Sequence, residues 1–280
     1  MTSSNQSASQ CARSVEASVN YIGEMAQRPR YYANDHSRDV LRLDPRKIVI
    51  EDARKRLEAP SLAREGFELV AHSSAVENFK DAEDVARVHP QEIERLLLEV
   101  TGADHVVISG PGVLRFGEGS QDAGRYSNSM PARFVHVDIS DATAEQFAHR
   151  SMPANTGRAL RRFAHYNVWR AFSAPPQDIP LTVCDARSVE PTDLIYADAI
   201  FDEKDKPEWS FEGWVVRHNP GHRWSYFSDM SRDEAIIFKT NDSDPAQPHC
   251  IPHSAFDDPS CPKGVLPRAS IEMRGIAYWF

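Results

Sequence analysis

Cysteine is too scarce and too scattered here to build a scaffold. The four residues Cys11, Cys184, Cys250 and Cys261 contain no CxxC pair. Without a recognisable secretion signal such thiols are expected to stay reduced; a bridge between Cys250 and Cys261, in a Pro-rich stretch, is the one pairing left open. Long apolar runs are also missing: nothing approaches the ~18 residues a membrane helix needs. Residues 1–10 are rich in Ser, Asn and Gln, with neither a basic nor an apolar targeting segment. They do not read as a signal peptide, and a soluble, cytoplasmic protein is expected. Excess positive charge is absent, with 32 basic against 41 acidic residues, a net charge of −9 and a pI near 5.7. That excludes a broad electrostatic footprint for nucleic acid or an anionic membrane and leaves a small molecule as the expected partner. Lysine contributes only 7 of the 32 basic residues. An arginine excess of this kind reflects either base composition or bidentate carboxylate binding.

Neither a 20–50-residue repeat nor a Gly/Ser linker breaks the remaining sequence. The expectation is a disordered tail over 1–16 followed by a single domain over 17–280, a length that buries about three-quarters of its unfolded surface. Two short apolar runs flank Asp44-Pro45, a turn signal between strands. Residues 51–59 read as a helix and 66–71 as a strand. Residues 89–101 form the best helical pattern, with Pro90 near the start, Ile93, Leu96, Leu97 and Val100 on one face, and Gly102 as the stop. Residues 105–110 read as a buried strand, 132–140 as an alternating strand, and 140–150 and 155–163 as helices. From residue 164 onward only short strand-like runs follow, separated by turn clusters such as HNPGH and NDSDPAQP. That spacing indicates a sandwich or barrel. The expected class is mainly β with helices (α+β), with a β-barrel core flanked by N-terminal helices.

Chemistry is concentrated in His136-Val137-Asp138. Strand alternation places His136 and Asp138 on one face. An imidazole and a carboxylate there are two of the three ligands of the facial triad that holds ferrous iron and leaves other positions open. Alone, HxD is a common arrangement of a histidine near an acid. A triad needs a second histidine from a distant strand, and His253 stands 115 residues after Asp138. Arg268-Ala269-Ser270 follows at the start of the last long strand, where Arg268 and Ser270 share a face. There a guanidinium can grip a carboxylate bidentately and a hydroxyl can add a further bond. Arg274, on the same face, competes as the carboxylate anchor. The order HxD, distant His, RxS is that of iron- and 2-oxoglutarate-dependent oxygenases.

The blocks NVWR (167–170), IPLTVCDARSV (179–189), EAIIFKTNDSD (234–244), PHSAFDDP (252–259) and PRASIEMR (267–274) resemble the CmcJ/NvfI-type hydroxylase/desaturase family, also called AsaB-like or gibberellin-desaturase-like. SVNYIG, GFELV, TGADHVV and RFVHVDIS fit in the same order, so the resemblance runs over about 17–280. It implies a double-stranded β-helix (jelly-roll, cupin-like) core, Fe(II), 2-oxoglutarate as co-substrate and O2. It also implies C–H hydroxylation, desaturation or oxidative cyclisation of a small secondary-metabolite or amino-acid-derived substrate. By motif matching, His136, Asp138 and His253 would ligate iron, and Arg268 with Ser270 would hold the distal carboxylate of 2-oxoglutarate. Ala269 stands where the family usually shows Glu, but alternates away from this site.

Around this set, Asn167 and Trp169 share a strand face and are expected to line the 2-oxoglutarate or substrate pocket, or else to be core. Arg133, Arg170 and Arg274 would anchor a substrate carboxylate. Tyr226 and Phe227 would wall the pocket or pack in the core; Trp209, Trp214, Trp224 and Phe227 would form an apolar mouth for a terpenoid. Lys239 is expected to pair with Asp242 or Asp185. H-x3-H spacing at His218/His222 and His249/His253 suggests zinc only on a helix, which Pro220-Gly221 and Pro252 forbid. Two other classes stay open: a cupin-like metal-dependent isomerase or hydrolase without 2-oxoglutarate, and a barrel with a degenerate triad. A homodimer is the default for a soluble enzyme.

Overall fold

The first described residues are already a strand. The computed structural model describes residues 14–154 and 157–280. Its elements in chain order are β1 (Ser14–Ile22), β2 (Arg30–Tyr32), β3 (Leu43–Asp52), β4 (Phe67–Ala71), α1 (Ala82–Thr101), β5 (His105–Phe116), β6 (His136–Val137) and α2 (Asp141–Ser151). There follow β7 (Arg162–Ala171), β8 (Leu181–Cys184), β9 (Leu194–Phe201), β10 (Trp209–Val216), β11 (Trp224–Tyr226), β12 (Glu234–Asp242), β13 (His253–Ala255) and β14 (Ala269–Trp279). Nine strands form one sheet in the order β1-β3-β11-β8-β13-β6-β10-β9-β2, and five form a second, β4-β12-β7-β14-β5. No described helix is long and apolar enough to cross a membrane.

The two sheets close on each other through apolar side chains from both. Phe67, Trp169, Ala171, Ile236 and Phe238 of the smaller sheet meet Leu181 and Val183 of the larger. This is the double-stranded β-helix. α1 covers the outer face of the smaller sheet, where Ile93, Leu96 and Leu97 pack on Tyr166, Val168, Met273 and Ala277. That apolar face is the one its spacing marks.

Several local expectations change. Residues 14–16, expected in a disordered tail, begin β1, which pairs along its whole length with β3; residues 1–13 lie outside the described residues. The helix expected over 51–59 is the end of β3 and one 3-10 turn over Ala53–Lys55, because β1 and β11 both need β3 as a partner. α1 starts at Ala82, seven residues before the sequence pattern, since Asp81 caps it by accepting from the Glu83 and Asp84 amides; Pro90 lies inside the helix. Its stop is Gly102, in the left-handed conformation at φ 62°. β5 continues through Gly110-Pro111-Gly112 to Phe116 with a register shift against β14. It is an edge strand and largely half-exposed, where a proline without an N–H is tolerated. The helix expected over 155–163 is replaced by bends and the start of β7; residues 155–156 are outside the described residues. Cys184, Cys250 and Cys261 are free thiols, so the bridge left open between the last two is not made.

Candidate active site

β6 and β13 are paired neighbours, with His136 directly opposite His253. The 115 residues separating Asp138 from His253 in sequence collapse to one rung of a ladder. The rings lie 4.3 Å apart between centroids. His136 Nε2 is 3.6 Å from Asp138 Oδ1 and His253 Nε2 is 4.0 Å from the same oxygen. All three side chains are buried, and their ligand atoms lie within 4.8 Å of one another.

Backbone carbonyls set the orientation of both rings. His136 Nδ1 lies 2.9 Å from the Phe134 carbonyl and His253 Nδ1 3.1 Å from the Ile251 carbonyl. A carbonyl only accepts, so each Nδ1 carries the proton and each Nε2 turns a lone pair toward Asp138. Burial lowers both imidazoles, His136 to about 4 with His253 adding to the effect, so the rings are neutral at neutral pH. Asp138 is the counterpart. Burial alone would raise it, but the Arg274 guanidinium and the hydrogen bond from Asn167 hold it below the usual carboxylate range. Asn167 Nδ2 donates to Asp138 Oδ2 at 2.6 Å, and Arg274 Nη2 stands 3.3 Å from that oxygen. Oδ1 is left facing the imidazoles. Two neutral nitrogens and one ionised oxygen on one wall are the donor set suited to ferrous iron.

Arg268 lines the same cavity as His136, Asp138, Trp169 and His253. It is 2% exposed, and its Nε and Nη2 have no hydrogen-bond partner. Its guanidinium sits 5.7 Å from the centre of the Trp169 ring. Burial, together with Arg115 and Arg133, lowers it to about 9. A buried cation without an anion is costly, and a carboxylate fits there. Arg274 contrasts with it: Nε and Nη2 both donate to Glu272 Oε1, at 3.1 and 2.9 Å.

Other expected residues fall elsewhere. Ser270 is fully buried, its hydroxyl donating to the Arg115 carbonyl at 3.4 Å, and it does not line the cavity. Arg170 is on the opposite face of β7, donating to the His72 and Arg232 carbonyls at 2.9 Å. It is not a pocket residue, because β7 alternates and Asn167 and Trp169 take the inner face. Tyr226 packs with Trp224 and Phe256, and Phe227 with Phe67 and Trp169; both are core. Lys239 pairs with Asp242 at 2.9 Å. Arg133 does stay at the site: it lines the cavity beside His136 and Asp138, bridged to Glu118 and Asp257.

The triad opens onto a cavity of about 380 Å³, lined by His136, Asp138 and Arg274 and by Tyr31, Leu41, Phe134, Phe201 and Phe211. These aromatics replace the tryptophan mouth expected from sequence. Arg115 lines both cavities and was missed: its Nη1 donates to the Asn128 and Met130 carbonyls from an edge strand, with no local pattern to mark it. Glu272 was also missed, although its alternation with Arg268 and Ser270 on β14 was readable.

Residues 19–278 match the YDMC family, described as an oxidoreductase/YMDC permease-like domain. The chain is 31% identical over 241 residues to the Fe(II)/2-oxoglutarate-dependent dioxygenase nvfI of Aspergillus novofumigatus, covering 84% of each. It is 30% identical over 257 residues to the hydroxylase/desaturase efuI of Hormonema carpetanum, covering 85% of each. The solved iron and alpha-ketoglutarate-dependent endoperoxidase NvfI superposes with a TM-score of 0.80 at 26% identity, over 95% of this chain and 98% of that one. With a paired His136–His253 rung, an ionised Asp138 and relatives along nearly its whole length, the chain belongs to the hydroxylase/desaturase family of Fe(II)- and 2-oxoglutarate-dependent dioxygenases.

Proposed function

We propose that His136, Asp138 and His253 hold Fe(II), and that Arg268 receives the distal carboxylate of 2-oxoglutarate, in an oxygenase acting on a small, largely apolar molecule. The observation that carries this reading is the unpartnered, buried Arg268 guanidinium in the cavity of the triad. Bound iron, with 2-oxoglutarate and O2, supplies hydrogen abstraction from an unactivated C–H bond, coupled to decarboxylation of the oxo acid. The protein's own part is positional. Asn167 and the Glu272–Arg274 pair fix Oδ2 of Asp138, so Oδ1 is presented to the metal. Trp169 lies against Arg268 and keeps water from the guanidinium, which strengthens its pairing with an anion. The aromatic cavity beside His136 and Asp138 then holds the substrate, and where its target C–H sits selects hydroxylation, desaturation or ring closure. The isomerase or hydrolase alternative has no use for an unpaired Arg268.

The test is an anaerobic titration of metal-free protein with Fe(II) and 2-oxoglutarate, read by visible absorbance. A weak charge-transfer band is expected, absent without iron and in His253→Ala. Arg268→Ala should raise the 2-oxoglutarate needed about 10- to 100-fold, the range for loss of a charge-assisted hydrogen bond. Iron bound without the band would favour the alternative, and no iron binding would overturn the metal assignment.

A further inference from the structure

A second cavity, about 590 Å³, lies behind the triad. Strand alternation makes the connection: His136 and Asp138 face the active site, while Val137 between them turns outward and packs with Trp214 and Cys250. Both Trp214 and Cys250 line this cavity, together with Asp141 and His249.

Three donors of different chemistry converge there. Asp141 is the first residue of α2, and His249 and Cys250 belong to the segment between β12 and β13. A carboxylate oxygen, an imidazole nitrogen and the Cys250 sulfur lie within 4.8 Å of one another. Adjacent residues of an extended chain project to opposite sides, but Cys250 has φ +56°, a left-handed conformation that L side chains rarely adopt. That turn lets His249 and Cys250 present their donors together. The Asn241 amide donates to Asp141 Oδ1 at 2.8 Å, the kind of outer contact that orients a ligating carboxylate. Cys250 is buried among apolar side chains and makes no disulfide. The H-x3-H spacing of His249 and His253 therefore has a different meaning from a shared zinc site. The fold sends His253 inward to the triad and His249 to this thiol.

We propose that Asp141, His249 and Cys250 form a second metal site, for Zn2+, with its open position toward the cavity. A thiolate and an imidazole select a borderline-soft cation, whereas the two-nitrogen, one-oxygen triad suits iron; three protein ligands leave room for water as the fourth. Uptake forms a metal–thiolate bond and releases the Cys250 proton to solvent, with no change of oxidation state. Because burial and Asp141 both favour the protonated thiol, uptake weakens as pH falls. Occupancy ties the start of α2 to the segment leading into His253.

Titration of metal-free, full-length protein with Co2+ tests the site. Two equivalents should bind, with a near-ultraviolet sulfur-to-cobalt band that a triad of nitrogen and oxygen donors cannot produce. His136→Ala should keep that band. Cys250→Ala and His249→Ala should lose it and one equivalent, while keeping the visible Fe(II)/2-oxoglutarate absorbance. If Cys250→Ala does not fold, half-buried His249 carries the test. Its loss should weaken the second equivalent by more than the ~10–100-fold typical of an outer-contact mutation. A single equivalent, no sulfur band, or a band that survives in folded His249→Ala or Cys250→Ala would overturn the proposal.

Discussion

Arg268 and Arg274 lie six residues apart at one edge of the same cavity and differ in one respect, whether a carboxylate already meets them. Arg274 has both Glu272 and Asp138, and these raise it against the effect of burial. Its expected part is to hold Asp138. Arg274→Ala and Asn167→Ala should each weaken Fe(II) binding about 10- to 100-fold, the usual cost of removing a partner of a metal ligand. Activity should return at high iron, as a titration of turnover against Fe(II) would record; unchanged iron affinity would remove this role. Arg268 has no carboxylate, so a dicarboxylate should stabilise the folded state by mass action. 2-Oxoglutarate should raise the melting temperature of the wild-type protein and not that of Arg268→Ala. Arg268→Lys keeps the charge but loses the fork, and should recover only part of the effect.

Between elements, two glycines set how closely strands and helices approach. A Cβ on Gly213 would sit 2.5 Å from the Asp138 carbonyl oxygen and 3.0 Å from that of Val137. Neither neighbour is a flexible side chain, so Gly213→Ala must push β10 away from β6 and displace Asp138. Iron affinity should fall at least about tenfold, the low end of the cost of disturbing a ligand's supports. On the far face, a Cβ on Gly275 would meet Leu97 Cδ1 at 2.5 Å, under α1. Gly275→Ala should cost about 1–3 kcal/mol of stability by overpacking and leave iron affinity unchanged. Measuring unfolding and iron binding on both variants separates the effects, and equal losses of iron affinity would refute the distinction. The cap of α1 is a milder test: Asp81→Ala should cost about 1 kcal/mol in denaturant unfolding.

For the molecule as a whole, buried neutral histidines set an acid limit. His165 of β7 faces α2, with Nε2 donating to the Ala144 carbonyl at 3.0 Å. His89 is on the buried face of α1, beside Phe79. Burial lowers each to about 4 from 6.5, with Arg170 adding to the effect at His89. Below 6.5 the unfolded chain takes up protons that these folded rings refuse, so stability falls as pH drops from 6.5 to about 4. The slope approaches about 1.4 kcal/mol per histidine per pH unit within that window. Thermal melts across this range should show the loss, and His165→Gln should flatten it; a pH dependence unchanged in that variant would exclude His165 as a source.

Alternation along a strand and the order of rare residues were enough to expect an oxygenase. His136 and Asp138 share a face because the strand period is two, and Arg268 follows His253 at a readable distance. The same logic placed Asn167 and Trp169 together and marked the apolar face of α1. Other features depend on partners far away in the chain. Residues 51–52 finish a strand rather than begin a helix because β1 and β11 complete their ladders on β3. Arg170, Tyr226 and Phe227 look like pocket residues by type, but their sheets turn them to an outer face or into the core. Arg115 and the aromatic wall reach the site from β5, β2, β9, β10 and the segment before β6, elements that only the sheet order brings together. Above all, the sequence holds two comparable arginines on one strand; only the packed carboxylates of Asp138 and Glu272 leave Arg268 unpaired, because charge pairing is decided by distance in space.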